Sequence, residues 1–301
     1  MNVPYHIPAL LTETLELLNI KPDGIYVDLT FGGGGHSSAI LKQLTTGKLI
    51  AFDRDSDAVA NKINDERFIF INNNFRFLRN LLRYNGIEEV DGVLADLGVS
   101  SHHFDTGERG FSFRFEDADL DMRMTREAEL TAQQVLNTYP QQRLQQIFTL
   151  YGELDNAGRL ANTIVKAREQ EKVQNIQKFI NIIQACVPQR AEHKYLAKIF
   201  QALRIEVNQE MQALSQMLPQ SLKVLKAGGR LAVITYHSLE DRMVKNFMKA
   251  GNVEGNAEKD FYGNLITPFK VITRKAVVPA DEEIEENNRV RSAKLRVAEK
   301  V

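Results

Sequence analysis

The residues best placed to do chemistry lie in Asp28-Leu29-Thr30-Phe31-Gly32-Gly33-Gly34-Gly35-His36, where an acid closes an apolar run and four glycines follow. Glycines there let a ligand approach the backbone, and a loop at the carboxyl end of a first strand is where nucleotides bind to open parallel sheets. What the loop lacks narrows the ligand. A P-loop ends in Gly-Lys-Ser/Thr, and His36-Ser37 offers no lysine. A dinucleotide fingerprint begun at Gly32 wants a glycine where Ser37 stands, and it has no use for an acid at the strand end. S-adenosylmethionine carries a cationic sulfonium and an α-amino group but no phosphate, so a carboxylate such as Asp28 attracts it. Asp53, eighteen residues beyond Gly35, closes a second apolar run, where an acid accepts both ribose hydroxyls. Phe75 follows a third run, placed to pack on an adenine, and Asp96 ends a fourth, where a transferred methyl would emerge. Taken singly, the glycines could be a turn, Asp53 a helix cap and Phe75 a core residue. Together, at four successive strand ends, they favour a methyltransferase. Another nucleotide-binding enzyme is the alternative that the pattern alone leaves.

These residues need a scaffold of alternating strands and helices, and the hydrophobic pattern supplies one. Leu11, Leu15 and Leu18 stripe a short helix that Pro22-Asp23-Gly24 ends. Strands are predicted over 25–29, 49–52, 68–71 and 90–97, with helices over 37–44, through Ala58 and Ile63, and around 78–82. This rhythm calls for an α/β fold, a parallel sheet covered by helices on both faces. The next convincing strand, 230–235, is introduced by Gly228-Gly229 and starts 133 residues after Leu97. A parallel crossover needs only about a dozen residues, so something large is inserted. Leu144, Ile147 and Leu150, then Ile176, Phe179, Ile180 and Ile183, give the insertion a helical pattern. The expected organisation is a sheet domain over 1–109 and 211–301 that carries a helical domain over 110–210. Beyond the fifth strand come a helix over 239–247, a strand near 265–272, an acidic run over 281–286 and a basic tail over 289–300.

Composition excludes more than it assigns. With 38 basic and 39 acidic residues, the chain has no overall attraction for nucleic acid, so any RNA contact must come from local patches. The lone Cys186 rules out an intramolecular disulfide and a cysteine-built metal site, and no metal is expected. No run approaches the roughly 18 apolar residues of a membrane span, and the first ten residues lack the pattern of a secretory signal. A cytoplasmic protein without membrane contact is therefore expected.

Longer motifs carry a resemblance. They begin with His6-Ile7-Pro8, the Asp28–Ser37 loop, Asp53-Arg54-Asp55 and Asp96-Leu97-Gly98-Val99-Ser100-Ser101. Arg109-Gly110-Phe111-Ser112-Phe113, Leu120-Asp121-Met122-Arg123-Met124 and Phe200-Gln201-Ala202-Leu203-Arg204-Ile205 follow. His237-Ser238-Leu239-Glu240-Asp241-Arg242 and Arg291-Ser292-Ala293-Lys294-Leu295-Arg296 complete the series. With these motifs in order over nearly its whole length, the chain resembles the bacterial ribosomal RNA small-subunit methyltransferase H family, also called MraW. The resemblance implies a Rossmann-like class I S-adenosylmethionine methyltransferase sheet with an inserted helical substrate-recognition domain. It implies methylation of N4 of a cytosine in the decoding region of 16S ribosomal RNA, on the assembled small subunit. Gly34, Gly35, His36, Asp53, Phe75 and Asp96 would contact the cofactor. The family's next contact is a glutamine after Ser-Ser-Pro; here His102 stands for the proline and His103 for the glutamine, so His103 is a cofactor contact or a solvated loop residue. A homodimer is left open.

The N4 amine is a weak nucleophile because its lone pair is delocalised into the ring. Asp96, or a main-chain carbonyl in its loop, is expected to accept a hydrogen bond from it. Asp121 and His237 are the other polar candidates carried by the motifs. Asp121 could instead pair with Arg123 or Arg126, and His237 could cap the following helix. For RNA, Arg109, Arg114, Arg123 and Arg126 interleave with Phe111, Phe113 and Phe115, and the tail adds Arg289, Arg291, Lys294 and Arg296. The bland alternatives are the insertion's own core and a solvated tail. Two rival functions are methylation of protein or DNA, and a cofactor-binding assembly factor without turnover.

Overall fold

A computed structural model describes residues 8–99, 107–263 and 265–301. Strands β1 (Ile25–Asp28), β2 (Lys48–Asp53), β3 (Phe68–Asn72), β4 (Val90–Asp96) and β5 (Leu225–Thr235) run parallel in the spatial order β3-β2-β1-β4-β5. Near-continuous apolar runs build β1, β2 and β4 because both faces are covered. Val27, Ile50, Val93 and Val233 point to one core, and Tyr26, Leu49, Leu94 and Ala232 to the other. The first face is covered by α3 (Leu78–Tyr84), which buries Leu78 and Leu82. The second is covered by α1 (Leu11–Leu18) and α2 (Gly35–Gln43). Register places Asp28 beside Ala51 and Leu94, and Asp96 beside Ile234. The reversal of strand order between β1 and β4 makes their carboxyl ends the crevice of an open α/β sheet.

The seven-stranded sheet is completed by two antiparallel strands, β9 (Lys294–Lys300) against β5 and β8 (Phe269–Val271) against β9. Residues 294–300 of the basic tail are therefore a strand inside the sheet, while Arg289 and Arg291 precede it, exposed, on a 3₁₀ segment, Asn288–Ser292. Leu295 and Val297 are fully buried, while Arg296 holds Asp241 with bonds of 2.6 and 3.1 Å. The strand expected near 265–272 is two short ones. Leu265–Ile266 (β7) pairs with Glu258–Lys259 (β6) in a separate ribbon. Pro268, which cannot donate to a ladder, separates it from β8. The helix expected through Ala58 and Ile63 is a 3₁₀ segment, Ser56–Asn61, that Asp55 caps.

Contacts group the chain into two units, Met1–Gly98 with Met211–Val301, and Val99–Glu210. In the second, α4 (Ala132–Thr138), α5 (Gln141–Leu150), α6 (Ala157–Gln170), α7 (Ile176–Ile183) and α8 (Glu192–Asn208) surround one core. Leu144, Ile147, Ile176, Phe179 and Ile183 sit in it, whereas Leu150 is exposed. This unit begins before position 110 because Val99 also packs on its core. In the first unit, α9 (Glu210–Val224) leads into β5, and α10 (Ser238–Ala250) and α11 (Asp281–Glu286) follow. Among the described residues, no helix is long and apolar enough to cross a membrane.

Candidate functional site

The chain leaves β1 at Asp28, which is 1% exposed rather than open to solvent. It shapes the loop instead: Oδ1 accepts from the Thr30 backbone N–H at 3.0 Å and Oδ2 from the Ser37 hydroxyl at 2.7 Å. Burial pushes its carboxyl up, against the hydrogen bonds from Ser37 and Thr30. Gly34 turns the loop into α2 with φ at 77°. A Cβ on Gly35 would stand 2.2 Å from the Pro8 ring, so a side chain cannot fit there.

Asp53 closes β2 with its carboxylate aimed across the sheet end at the loop. Oδ2 accepts from the Gly32 N–H at 2.7 Å and Oδ1 from the Asp55 N–H at 2.8 Å. Phe75 opens a 3₁₀ turn after β3 and packs, partly buried, on the core that contains Leu78 and Leu97. At the end of β4, the Asp96 backbone N–H donates to Thr30 Oγ1 at 2.6 Å. Its side chain accepts at Oδ1 from the Tyr236 hydroxyl at 2.8 Å, and Oδ2 lies 3.8 Å from His36 Nδ1. His36 is buried, and its Nε2 sits 3.1 Å from the Ala9 carbonyl. A carbonyl only accepts, so Nε2 carries the proton and Nδ1 faces Asp96. Burial lowers the imidazole against the pull of Asp96. Desolvation raises Asp96 to about 6, opposed by His36 and by the Tyr236 hydrogen bond.

Gly34, Gly35, His36, Asp53, Phe75 and Asp96 are thus grouped around the ends of four strands. His103 lies outside the described residues. Asp121, in the helical unit, is bound at 2.8 Å through both oxygens by Arg123, whose N–H also donates to Asp121 at 3.0 Å. Burial pushes this carboxyl up, but the Arg123 hydrogen bonds outweigh it and hold the value below the usual range. His237 caps α10, with Nδ1 accepting from the Glu240 N–H at 3.4 Å and Nε2 3.2 Å from Glu240 Oε1.

The stretch read as RNA-facing divides. Arg109 is buried and donates to the Arg123 and Met124 carbonyls, and Arg123 also holds the Arg126 and Ala128 carbonyls. Phe111 is core, and Phe113 packs edge-on against Phe200 at 5.5 Å. Only Arg114, Phe115 and Arg126 of that set are exposed. Sequence reading missed Tyr236 and Thr30, the partners of Asp96. The signal for Tyr236 was its place directly after the last buried residue of β5.

These side chains are carboxylates, hydroxyls, a neutral imidazole and a phenyl ring. That donor set suits a cationic, hydroxyl-bearing ligand with an aromatic base and gives no phosphate its charge. The chain matches the MraW methylase family over residues 4–301. It is 60% identical over 297 residues to a Bacteroides fragilis protein named ribosomal RNA small subunit methyltransferase H, covering 98% of this chain and 97% of that one. The protein of the same name from Flavobacterium johnsoniae is 57% identical, covering 99% and 98%.

Proposed function

Since this chain belongs to the MraW methylase family, we propose that it transfers a methyl group from S-adenosylmethionine to N4 of a cytosine in the decoding region of 16S ribosomal RNA. The substrate in this reading is the small ribosomal subunit in the cytoplasm. The observation that carries it is Asp96, a carboxylate with its value raised to about 6 at the end of β4, held on one oxygen by Tyr236. A base that takes a proton from an amine near neutral pH needs such a value.

Asp53 would accept the ribose hydroxyls, Phe75 would lie against the adenine, and the Gly34-Gly35-His36 turn would pass close to the methionine part. His103 belongs to this set by its place in the motif. When bound, the cofactor supplies an electrophilic methyl on a sulfonium sulfur. Asp96 accepts a hydrogen bond from the N4 amine, which localises the lone pair on nitrogen and aims it. As nitrogen gained its bond to the methyl carbon, the carbon–sulfur bond would break with its electron pair returning to sulfur as a neutral thioether, and one proton of the cationic nitrogen would pass to the Asp96 carboxylate. Alignment of this kind can lower a barrier by about 7–11 kcal/mol. A cytosine must leave its stack to reach the site, costing a few kcal/mol unless RNA structure already frees it. The helical unit would hold that RNA, with Arg114, Phe115 and Arg126 as its exposed cationic and aromatic groups. We assign Asp121 and His237, the other acid–base candidates, to holding their own loops in shape, since Arg123 binds both oxygens of Asp121 and His237 caps α10 through Nδ1.

The test is transfer of isotope-labelled methyl to small subunits that lack the modification, followed by nucleoside mass analysis. Label in N4-methylcytidine is expected. Label in another nucleoside would discard the substrate, and cofactor binding without transfer would point to an assembly factor.

A further inference from the structure

Tyr236 follows directly on β5, and three separate neighbours fix it. Its backbone N–H donates to Glu240 Oε2 at 2.9 Å, at the first turn of α10. Its ring lies against Gly98, where a Cβ would stand 3.3 Å from ring carbon Cδ2 and where φ is +108°. Its hydroxyl donates to Asp96 Oδ1 at 2.8 Å. From the other side, Asp96 is tied by its backbone N–H to Thr30 Oγ1 at 2.6 Å, and Thr30 is tied by its own N–H to Asp28. Its remaining oxygen, Oδ2, is 3.8 Å from His36 Nδ1, beyond hydrogen-bond reach. A carboxylate anchored through one oxygen has a defined plane, and the second oxygen presents its lone pairs in a defined direction.

We infer that Tyr236 is a positioning residue for methyl transfer: its hydroxyl pins Oδ1 of Asp96 so that Oδ2 is the oxygen offered to the substrate amine. This rests on the reading of Asp96 as the acceptor. The ring also accounts for the glycine of the Asp96-Leu97-Gly98 motif, since a side chain at position 98 would press on it. The phenol keeps its proton and so remains a donor. Burial raises it, and Asp96, Glu240 and Glu283 raise it further. The titratable groups around Asp96 itself are His36, which lowers it when protonated, and Asp28 and Glu240, which raise it. Losing the phenolic donor removes a group that favours the carboxylate, so the Asp96 value must rise.

Tyr236→Phe keeps the ring and deletes only the hydroxyl. The expected result is a shift of the acid limb of kcat to higher pH by about one unit. Activity near pH 6.5 then falls roughly threefold and largely recovers by pH 8.5, with the cofactor Kd changed less than twofold. A second readout needs no turnover: in the free protein, the fall of Tm with rising pH that Asp96 causes should extend about one unit further in Tyr236→Phe. An Asp96→Asn background should abolish that difference. A variant with Tm lowered equally at every pH and an unmoved kcat limb would make Tyr236 merely structural and overturn the inference. If Tyr236→Phe does not fold, 3-fluorotyrosine at position 236, a more acidic phenol and stronger donor, should move both profiles downward, and no movement overturns the inference equally. The two readings fail separately. Wild-type kcat in Asp96→Asn sinks the acceptor and Tyr236 with it, whereas an inactive Asp96→Asn beside an unmoved Tyr236→Phe sinks Tyr236 alone.

Discussion

Asp96 in the sheet unit and Asp121 in the helical unit are both partly buried carboxylates, 21% and 28% exposed, and the protein treats them in opposite ways. Asp121 meets a guanidinium on both oxygens, and its value falls. Asp96 is taken out of water with only a phenol and a neutral imidazole beside its oxygens, and desolvation raises its value. An acid given a full counter-charge has finished its work in holding a loop. An acid taken from water without one is kept ready to receive a proton or a cation. Desolvation raises both acids, and only Asp121 has a guanidinium to outweigh it.

The largest effect that could break this contrast is on turnover. Asp96→Asn should lower kcat at least 100-fold, the scale of a general base, and equal activity in the two proteins would end the argument. The same substitution should stabilise the free protein. The folded value of Asp96, about 6, lies above the unfolded 3.8. The stability it contributes is therefore present below about pH 4 and lost as pH rises through about 6. Asparagine removes that loss, so thermal melts at pH 7.5 should show a gain of up to about 3 kcal/mol that vanishes near pH 4.

Next in size is Arg123→Met, which removes the guanidinium from Asp121 and frees two loop carbonyls, those of Arg126 and Ala128. About 2–3 kcal/mol of stability should go, less than for a fully buried pair because both side chains are about a quarter exposed. Denaturant melts would read it, and an unchanged midpoint would mean the pair holds nothing. Asp121→Asn sharpens the contrast through its sign. A lowered value stabilises above the ordinary carboxylate range and is lost as pH falls through it, opposite to Asp96. Its loss of about 1–2 kcal/mol at pH 7 should therefore shrink towards pH 3, with kcat within threefold of wild type. A large kcat loss at unchanged stability would restore Asp121 to the chemistry. The smallest expected effect is on RNA. Arg296→Met should cost about 1–2 kcal/mol of stability by breaking the Asp241 pair, with affinity for the small subunit and its salt dependence unchanged. A weaker salt dependence would return the tail to the RNA interface.

Strands β1, β2 and β4 were legible because each is a short apolar run that ends at an acid, Asp28, Asp53 and Asp96. β9 was not. Its charged residues made Lys294 to Lys300 read as a basic tail, although Leu295 and Val297 keep the two-residue period of a strand. Arg296 sits inside the sheet only because Asp241, 55 residues away, is there to receive it. Arg109 and Phe111 misled in the same way, since a cation or a ring in a motif carries no mark of whether it faces solvent or its own core.

The residues by themselves determined the order of strands and helices, the large insertion and the types of side chain at four strand ends, because these follow from local periodicity and turn chemistry. Tertiary structure decided which of two similar acids is neutralised, that Asp28 is buried and bonded to Thr30 and Ser37, and that Tyr236 reaches Asp96 across 140 positions of chain. A carboxylate's proton affinity is set by the groups and the water around it in space, and those are assembled only when the sheet closes.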